Sequence, residues 1–213
     1  MPGPTRWRPT RHPASPTAGP RVSHPAGAPA DWLVIGLGNP GREYARTRHN
    51  IGFQIAQELI DRWSLSPPKA AYRGLLTEGR IGPREPRVAV LLPQTYMNDA
   101  GESAGPARGA LQVPLERVIV VYDEIDLPFG EIRVRAGGGL AGHNGLKSLR
   151  RGLGSPDFLR VRAGVGRPDS TNPEIVSSWV LGKFRESAQE VSELVSGAAD
   201  AAERIIAEDG IAA

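Results

Sequence analysis

Cysteine is absent from all 213 positions. Disulfides, thiolate nucleophiles and cysteine-ligated zinc are thereby excluded, and any catalysis has to run on oxygen or imidazole chemistry. Long apolar runs are missing as well. None approaches the ~18 residues needed to cross a bilayer, which speaks against a membrane protein. An excess of one charge is also lacking where it would matter. The formal net charge is +3, but residues 1–30 hold Arg6, Arg8, Arg11 and Arg21 and no acid, leaving 22 basic against 23 acidic residues in the rest. An acidic polymer would have to meet a local basic patch, because a near-neutral domain exerts little long-range attraction.

What is present fits one α/β domain: 39% hydrophobic and 23% charged residues over a length too short for two ordinary domains. The first thirty residues carry eight prolines and almost no large apolar side chain. Such a segment cannot bury enough surface to offset its ordering entropy, so 1–30 reads as a disordered Pro/Arg-rich extension and 31–213 as the folded domain. Apolar runs at 32–36, 88–92 and 118–122 predict strands buried on both faces. Residues 72–79, 131–135 and 159–165 predict weaker strands. Ile51, Ile55, Leu59 and Trp63 share one helical face, as do Val191, Leu194, Val195, Ala198, Ala202 and Ile205. The expected class is α/β, a single-domain globule with a mixed, mostly parallel central sheet covered by helices on both faces.

The stretch "WLVIGLGNPG" spells G-x-G-x-x-G at Gly36, Gly38 and Gly41, the letters of a dinucleotide-binding loop. Its context is wrong for one. Asn39-Pro40-Gly41 is a turn sequence, helical periodicity starts only near Ile51, and Asp61 lies inside that helix rather than at the end of a second strand. What the loop offers is Asn39 at the carboxyl end of a buried strand, where open α/β sheets place their ligands. The same logic selects Met97 and Asn98 after the strand ending at Leu92, and Asp123 after "VIVVY". Each asparagine taken alone serves equally well as a turn former or helix cap. His49-Asn50 and His143-Asn144 each precede a helix, where backbone N–H groups can face an anion or oxyanion.

Two other motifs compete. "GESAG" at 101–105 has the letters of a nucleophile elbow around Ser103, but "NDA" precedes it instead of a strand and Pro106 follows. Asp123, Glu124 and Asp126 are acidic neighbours without a metal-ligand spacing such as HExxH, so no metal is expected. Lys147, Arg150 and Arg151 share a helical face, which suits RNA or simply the C-terminal dipole of a short helix.

In order, "GLGNPGREYARTRHNIGF", "LPQTYMNDAGES", "VYDEIDLPFG", "GGGLAGHNGLKSL" and "FLRVRAGVGRP" resemble the motif series of bacterial-type peptidyl-tRNA hydrolases, across residues 31–211. The resemblance implies a monomeric, cytoplasmic α/β enzyme acting without metal or cofactor. Its substrate would be peptidyl-tRNA, engaged through the acceptor arm and CCA end, and its reaction hydrolysis of the ester joining the peptide to the 3′-terminal ribose. By that resemblance His49 is the catalytic base, Asp123 its orienting carboxylate and Asn39 part of the same catalytic set. Tyr44, Met97, Asn98, His143 and Asn144 would bind substrate, and Arg135 and Arg162 would hold a tRNA phosphate, bidentate contacts being what a guanidinium provides. The bland alternative for the two arginines is a solvated sheet edge. Leu140-Ala141 departs from the family pattern, which has a polar residue followed by glycine there.

Overall fold

The structure, a computed structural model, describes residues 29–82 and 85–211. All but the last two residues of the expected extension 1–30 lie outside the described residues. The elements run β1 (Trp32–Gly36), α1 (Ile51–Arg62), β2 (Lys69–Ala71), β3 (Gly74–Arg80), β4 (Arg87–Pro93), α2 (Gly101–Leu111), β5 (Val118–Glu124), β6 (Ile132–Ala136), α3 (Asn144–Leu153), β7 (Leu159–Gly164), α4 (Pro173–Val180) and α5 (Ala188–Ala207).

One seven-stranded sheet has the order β2-β3-β4-β1-β5-β7-β6. β4, β1, β5 and β7 pair in parallel, and the antiparallel pairs lie toward the edges: β2 with β3, β3 with β4, and β6 with β7. The class is therefore α/β with a mixed, mostly parallel sheet, as expected. β1 and β5 are buried at every residue. Their side chains alternate between two cores, as a period of two requires. Val34 and Val121 meet Ile55 and Leu59 of α1 and Ala198 and Ala202 of α5 on one face. Leu33, Ile35 and Val120 meet Ala104 of α2 and Leu146 and Leu149 of α3 on the other.

Gly36 and Gly52 explain how α1 reaches the ends of these strands. A Cβ at Gly52 would stand 2.4 Å from the Val121 carbonyl oxygen and 2.5 Å from that of Leu37, and one at Gly36 would stand 2.5 Å from Gly52 O. Only backbone fits there, so the first turn of α1, with His49 just before it, lies directly on the ends of β1 and β5. The fingerprint glycine at 36 thus serves strand–helix packing. No helix opens at Gly41, because the chain passes through turns and a 3-10 segment, Arg48–Asn50, before α1 begins.

Some sequence expectations are corrected. The strand predicted over 72–79 begins two residues late: Tyr72 and Arg73, at φ 50° and 55°, form the two-residue turn of the β2–β3 hairpin. Such turns favour Asn-Gly or Asp-Gly, and Tyr-Arg carries no such signal. The strands predicted at 131–135 and 159–165 shift by one residue at their ends. Pro106 does not follow a helix start as a breaker but lies inside α2, where it costs one backbone bond, that to the Glu102 carbonyl. α4 was not anticipated, although its Asn172 cap, bonded to Glu174 N at 2.9 Å, and Pro173 at its first position form a readable start signal.

Candidate active site

The ends of β1, β4 and β5 converge on one cleft of about 660 Å³. Asn39, just past β1, is nearly buried and held from two sides. Asn50 accepts from Asn39 N through Oδ1 at 3.0 Å and donates through Nδ2 to Asn39 O at 2.9 Å. Asn39 Oδ1 in turn accepts from Met97 N at 2.8 Å. Because that donor is a backbone N–H, the carboxamide orientation follows, and the Nδ2 donor is the end left for the cleft that Asn39 lines.

Asp123, 1% exposed, is the penultimate residue of the buried strand β5. A carboxylate this deep needs donors, and two imidazoles supply them. His49 Nδ1 lies 2.9 Å from both Oδ1 and Oδ2, and His143 Nε2 lies 3.1 Å from Oδ1. The rings themselves stand 5.1 Å apart. Their tautomers follow from their other partners. His143 caps α3, with Nδ1 accepting from Gly145 N at 3.1 Å and Leu146 N at 3.4 Å, so Nε2 must carry its proton. His143 has no free lone pair. His49 donates through Nδ1, which leaves Nε2 unprotonated, and the residue lines the cleft.

Charge follows geometry here. Burial works against the imidazolium of His49, yet the Asp123 carboxylate, by its charge and its hydrogen bond, raises the pKa above the ordinary 6.5. Burial would push the Asp123 carboxyl up, but His49 and then His143 outweigh it and hold it well below the usual range. The acids next to Asp123 are committed elsewhere. Glu124 Oε2 accepts from Arg162 Nε and Nη2 at 3.1 and 3.0 Å, and Asp126 accepts from Arg167.

Among the described residues, His49, Asp123 and His143 each bring one ligand atom within 4.8 Å of the others, which makes them the grouping to test for a metal. The donor set does not suit one. A metal on His143 Nε2, with Nδ1 already accepting two backbone N–H groups, would leave that ring without any proton. Ser103 is equally unsuited to be a nucleophile: it is fully buried in α2 with its hydroxyl unpartnered, ten residues beyond the end of β4 at Pro93.

The cleft brings together Asn39, His49, Met97, Asn98, Asp123, His143 and Asn144. Tyr44 does not line it; this residue lies in the turn before Thr47, its carbonyl accepting from Thr47 N at 2.9 Å. Arg135 and Arg162 lie outside the lining on β6 and β7, where Arg135 pairs in register with Arg160 and Arg162 with Arg133. Arg151 of α3 donates to Asn98 O at 2.7 Å, while Lys147 reaches the cleft. Residues that sequence reasoning missed are Tyr96, which is 63% exposed, and Val176, Ser177, Val180 and Leu181, which form the outer wall on and just after α4. Ala141 adopts φ 45°, a left-handed conformation that glycine takes without penalty.

Residues 33–213 match the protein family described as peptidyl-tRNA hydrolase. The peptidyl-tRNA hydrolase of Syntrophotalea carbinolica is 51% identical over 162 residues, 76% of this chain and 82% of that protein. That of Bdellovibrio bacteriovorus is 44% identical over 84% of this chain and 95% of its own length. The crystal structure of the Acinetobacter baumannii peptidyl-tRNA hydrolase superposes with a TM-score of 0.74 at 35% identity, covering 86% of this chain and 92% of that one.

Proposed function

The chain belongs to the peptidyl-tRNA hydrolase family and is a hydrolase of that kind, and from this premise we propose that it cleaves its ester by general-base catalysis at His49. One observation supports this above the others. Of the two imidazoles on Asp123, only His49 keeps a nitrogen lone pair that its partners have not claimed. In this reading, water bound in the cleft gives a proton to His49 Nε2 as its oxygen adds to the ester carbonyl. The tetrahedral intermediate collapses, the C–O bond to the ribose breaks, and the imidazolium returns the proton to the leaving ribose oxygen. Asp123 stabilises the imidazolium between these two transfers, and its hydrogen bond keeps the useful tautomer. Asn39 offers its NH₂ to the reacting carbonyl oxygen, a donor preset by Asn50 and Met97 N. The products are a free peptide acid and tRNA with an intact 3′ end.

Met97, Asn98, His143 and Asn144 are proposed to receive the acyl group and the terminal nucleotide, Tyr44 to border that site, and Arg135 and Arg162 to hold a phosphate of the acceptor arm. Arg162 is already paired with Glu124, so a phosphate would share it rather than find it empty. The same reading takes residues 31–213 as the hydrolase domain and the protein as a cytoplasmic monomer that uses no cofactor or metal. The decisive assay offers the protein N-acetyl-aminoacyl-tRNA, unblocked aminoacyl-tRNA and a nitrophenyl ester. Cleavage of the first alone is expected. Cleavage of the nitrophenyl ester by wild type and His49→Ala alike would refute the mechanism.

A further inference from the structure

Arg48 precedes His49, yet its side chain turns away from the cleft and is 2% exposed. Nη1 donates to Lys183 O at 2.7 Å and to Trp179 O at 3.4 Å, and the guanidinium stacks over the Trp179 ring with 3.9 Å to its centroid. Nη2 lies 3.6 Å from Glu186, an ion pair longer than a hydrogen bond, and neither Nε nor Nη2 has a hydrogen-bond partner. The backbone joins in: Arg48 N donates to Gly182 O at 3.0 Å, and Thr47 bridges Lys183. Burying a guanidinium so incompletely satisfied is expensive, and an apolar chain of equal volume would avoid that cost. What an apolar chain could not do is gather the carbonyls at the end of α4. That helix has no buried residue of its own, so few apolar contacts fix it, while it supplies Val176, Ser177 and Val180 to the cleft. A cation at its C-terminal end also suits its dipole.

Resting on the reading that the cleft receives the acyl end of peptidyl-tRNA, we propose that Arg48 is a positioning residue that ties the end of α4 to the turn carrying His49. It thereby fixes the apolar outer wall against which the peptide part of the substrate packs. Arg48 touches neither water nor ester in this scheme. His49 stays anchored by Asp123 without it, so chemistry on a short acyl group is spared and grip on a longer peptide is lost.

The test compares Arg48→Met, which keeps an unbranched apolar stem and removes every side-chain donor, with wild type on two substrates: N-acetyl-aminoacyl-tRNA and a tRNA carrying several apolar residues. The expected result is a KM raised by roughly tenfold for the long substrate, the scale of a lost hydrogen bond to a charged group. The KM for the short one and both kcat values should change by less than about twofold, an effect smaller than a typical single hydrogen bond. Amide hydrogen exchange over 173–183 should accelerate while α1 and β5 keep their protection. An equal KM change for both substrates, or unaltered exchange in α4, overturns the proposal. Should Arg48→Met fail to fold, Trp179→Leu removes the stacked ring from the other side and must show the same split. Wild type and His49→Ala run in parallel: full activity in His49→Ala sinks the reading of the cleft itself, whereas an active wild type with no length dependence in the Arg48 variant sinks only the role of Arg48.

Discussion

Across the cleft, the wall carrying Asn39, His49 and Asp123 is continuous with the buried sheet, whereas the facing wall, α4, has no buried residue and is tied down through Trp179, whose ring stacks on the Arg48 guanidinium and whose Nε1 donates to Gly166 O at 2.9 Å. The inner wall packs on β1 and β5, where the backbone-to-backbone contact at Gly36 and Gly52 leaves no room for a side chain. Groups that transfer a proton need placement to within a few tenths of an ångström, and only burial with paired polar atoms provides it. A surface proposed to meet peptides of any sequence would need no such precision, and apolar area on an exposed helix would be enough for it.

Breaking the inner wall should have the largest effect. His49→Ala is expected to lower kcat on peptidyl-tRNA by at least the ~100-fold typical of a lost general base, with tRNA binding retained in a filter or fluorescence assay. Full activity would transfer the role to another group, and His143, with both nitrogens engaged, is a poor candidate.

Asp123→Asn comes next. It should slow turnover because a carboxamide does not stabilise the imidazolium, and it should move the pH profile. On the proposed mechanism the neutral imidazole is the active form, so wild-type kcat/KM is expected to rise with pH through the His49 pKa, which Asp123 holds above 6.5. With the charge gone, burial acts alone and the inflection shifts to lower pH. If both residues act as a unit, the double variant should be little worse than His49→Ala, and additive losses would separate them.

The basic surface beyond the cleft should respond differently from either wall. Arg135→Ala and Arg162→Ala are expected to raise KM far more than they lower kcat, and each to reduce the salt slope of tRNA binding by roughly 0.7–0.9 if it neutralises one phosphate. Unchanged KM and slope in both would return them to the sheet edge. Removing the Arg162 guanidinium also strips Glu124 of its partner, so Glu124→Gln with Arg162→Ala serves as the control for lost stability.

The smallest effects belong to sites that neither wall uses. Ser103→Ala should keep activity and, because the hydroxyl is buried without a partner, should leave the melting temperature equal or slightly higher. A trapped acyl-enzyme would reinstate a serine mechanism. Deleting residues 1–30 should alter neither hydrolysis nor melting temperature, and loss of folding would move the boundary from Asp31.

Much of this molecule was legible before any coordinates. Continuous apolar runs marked β1, β4 and β5, because strands buried on both faces have no polar side to interrupt them. Their ends pointed to Asn39, Met97, Asn98 and Asp123, since parallel sheets present ligands there. The β2–β3 turn escaped because Tyr72-Arg73 lacks the residues that usually adopt positive φ, and α4 because eight residues with no buried side offer too little periodicity.

The sequence by itself thus determined the strands, the helical faces and the set of polar side chains delivered to the strand ends, all of them consequences of local pattern. Only the tertiary structure decided which imidazole keeps an unclaimed nitrogen lone pair. His49 and His143 precede helices in similar His-Asn pairs, and they are distinguished by contacts across 74 and 20 residues to a single carboxylate and by two backbone N–H groups at the start of α3. The same holds for Arg48, which in the chain is one more arginine beside a histidine, and whose guanidinium meets the carbonyls of Trp179 and Lys183, 131 and 135 residues away near and just past the end of α4, only through the fold. A hydrogen bond has no sequence signature when its partners meet through the fold, and here such bonds assign the protons.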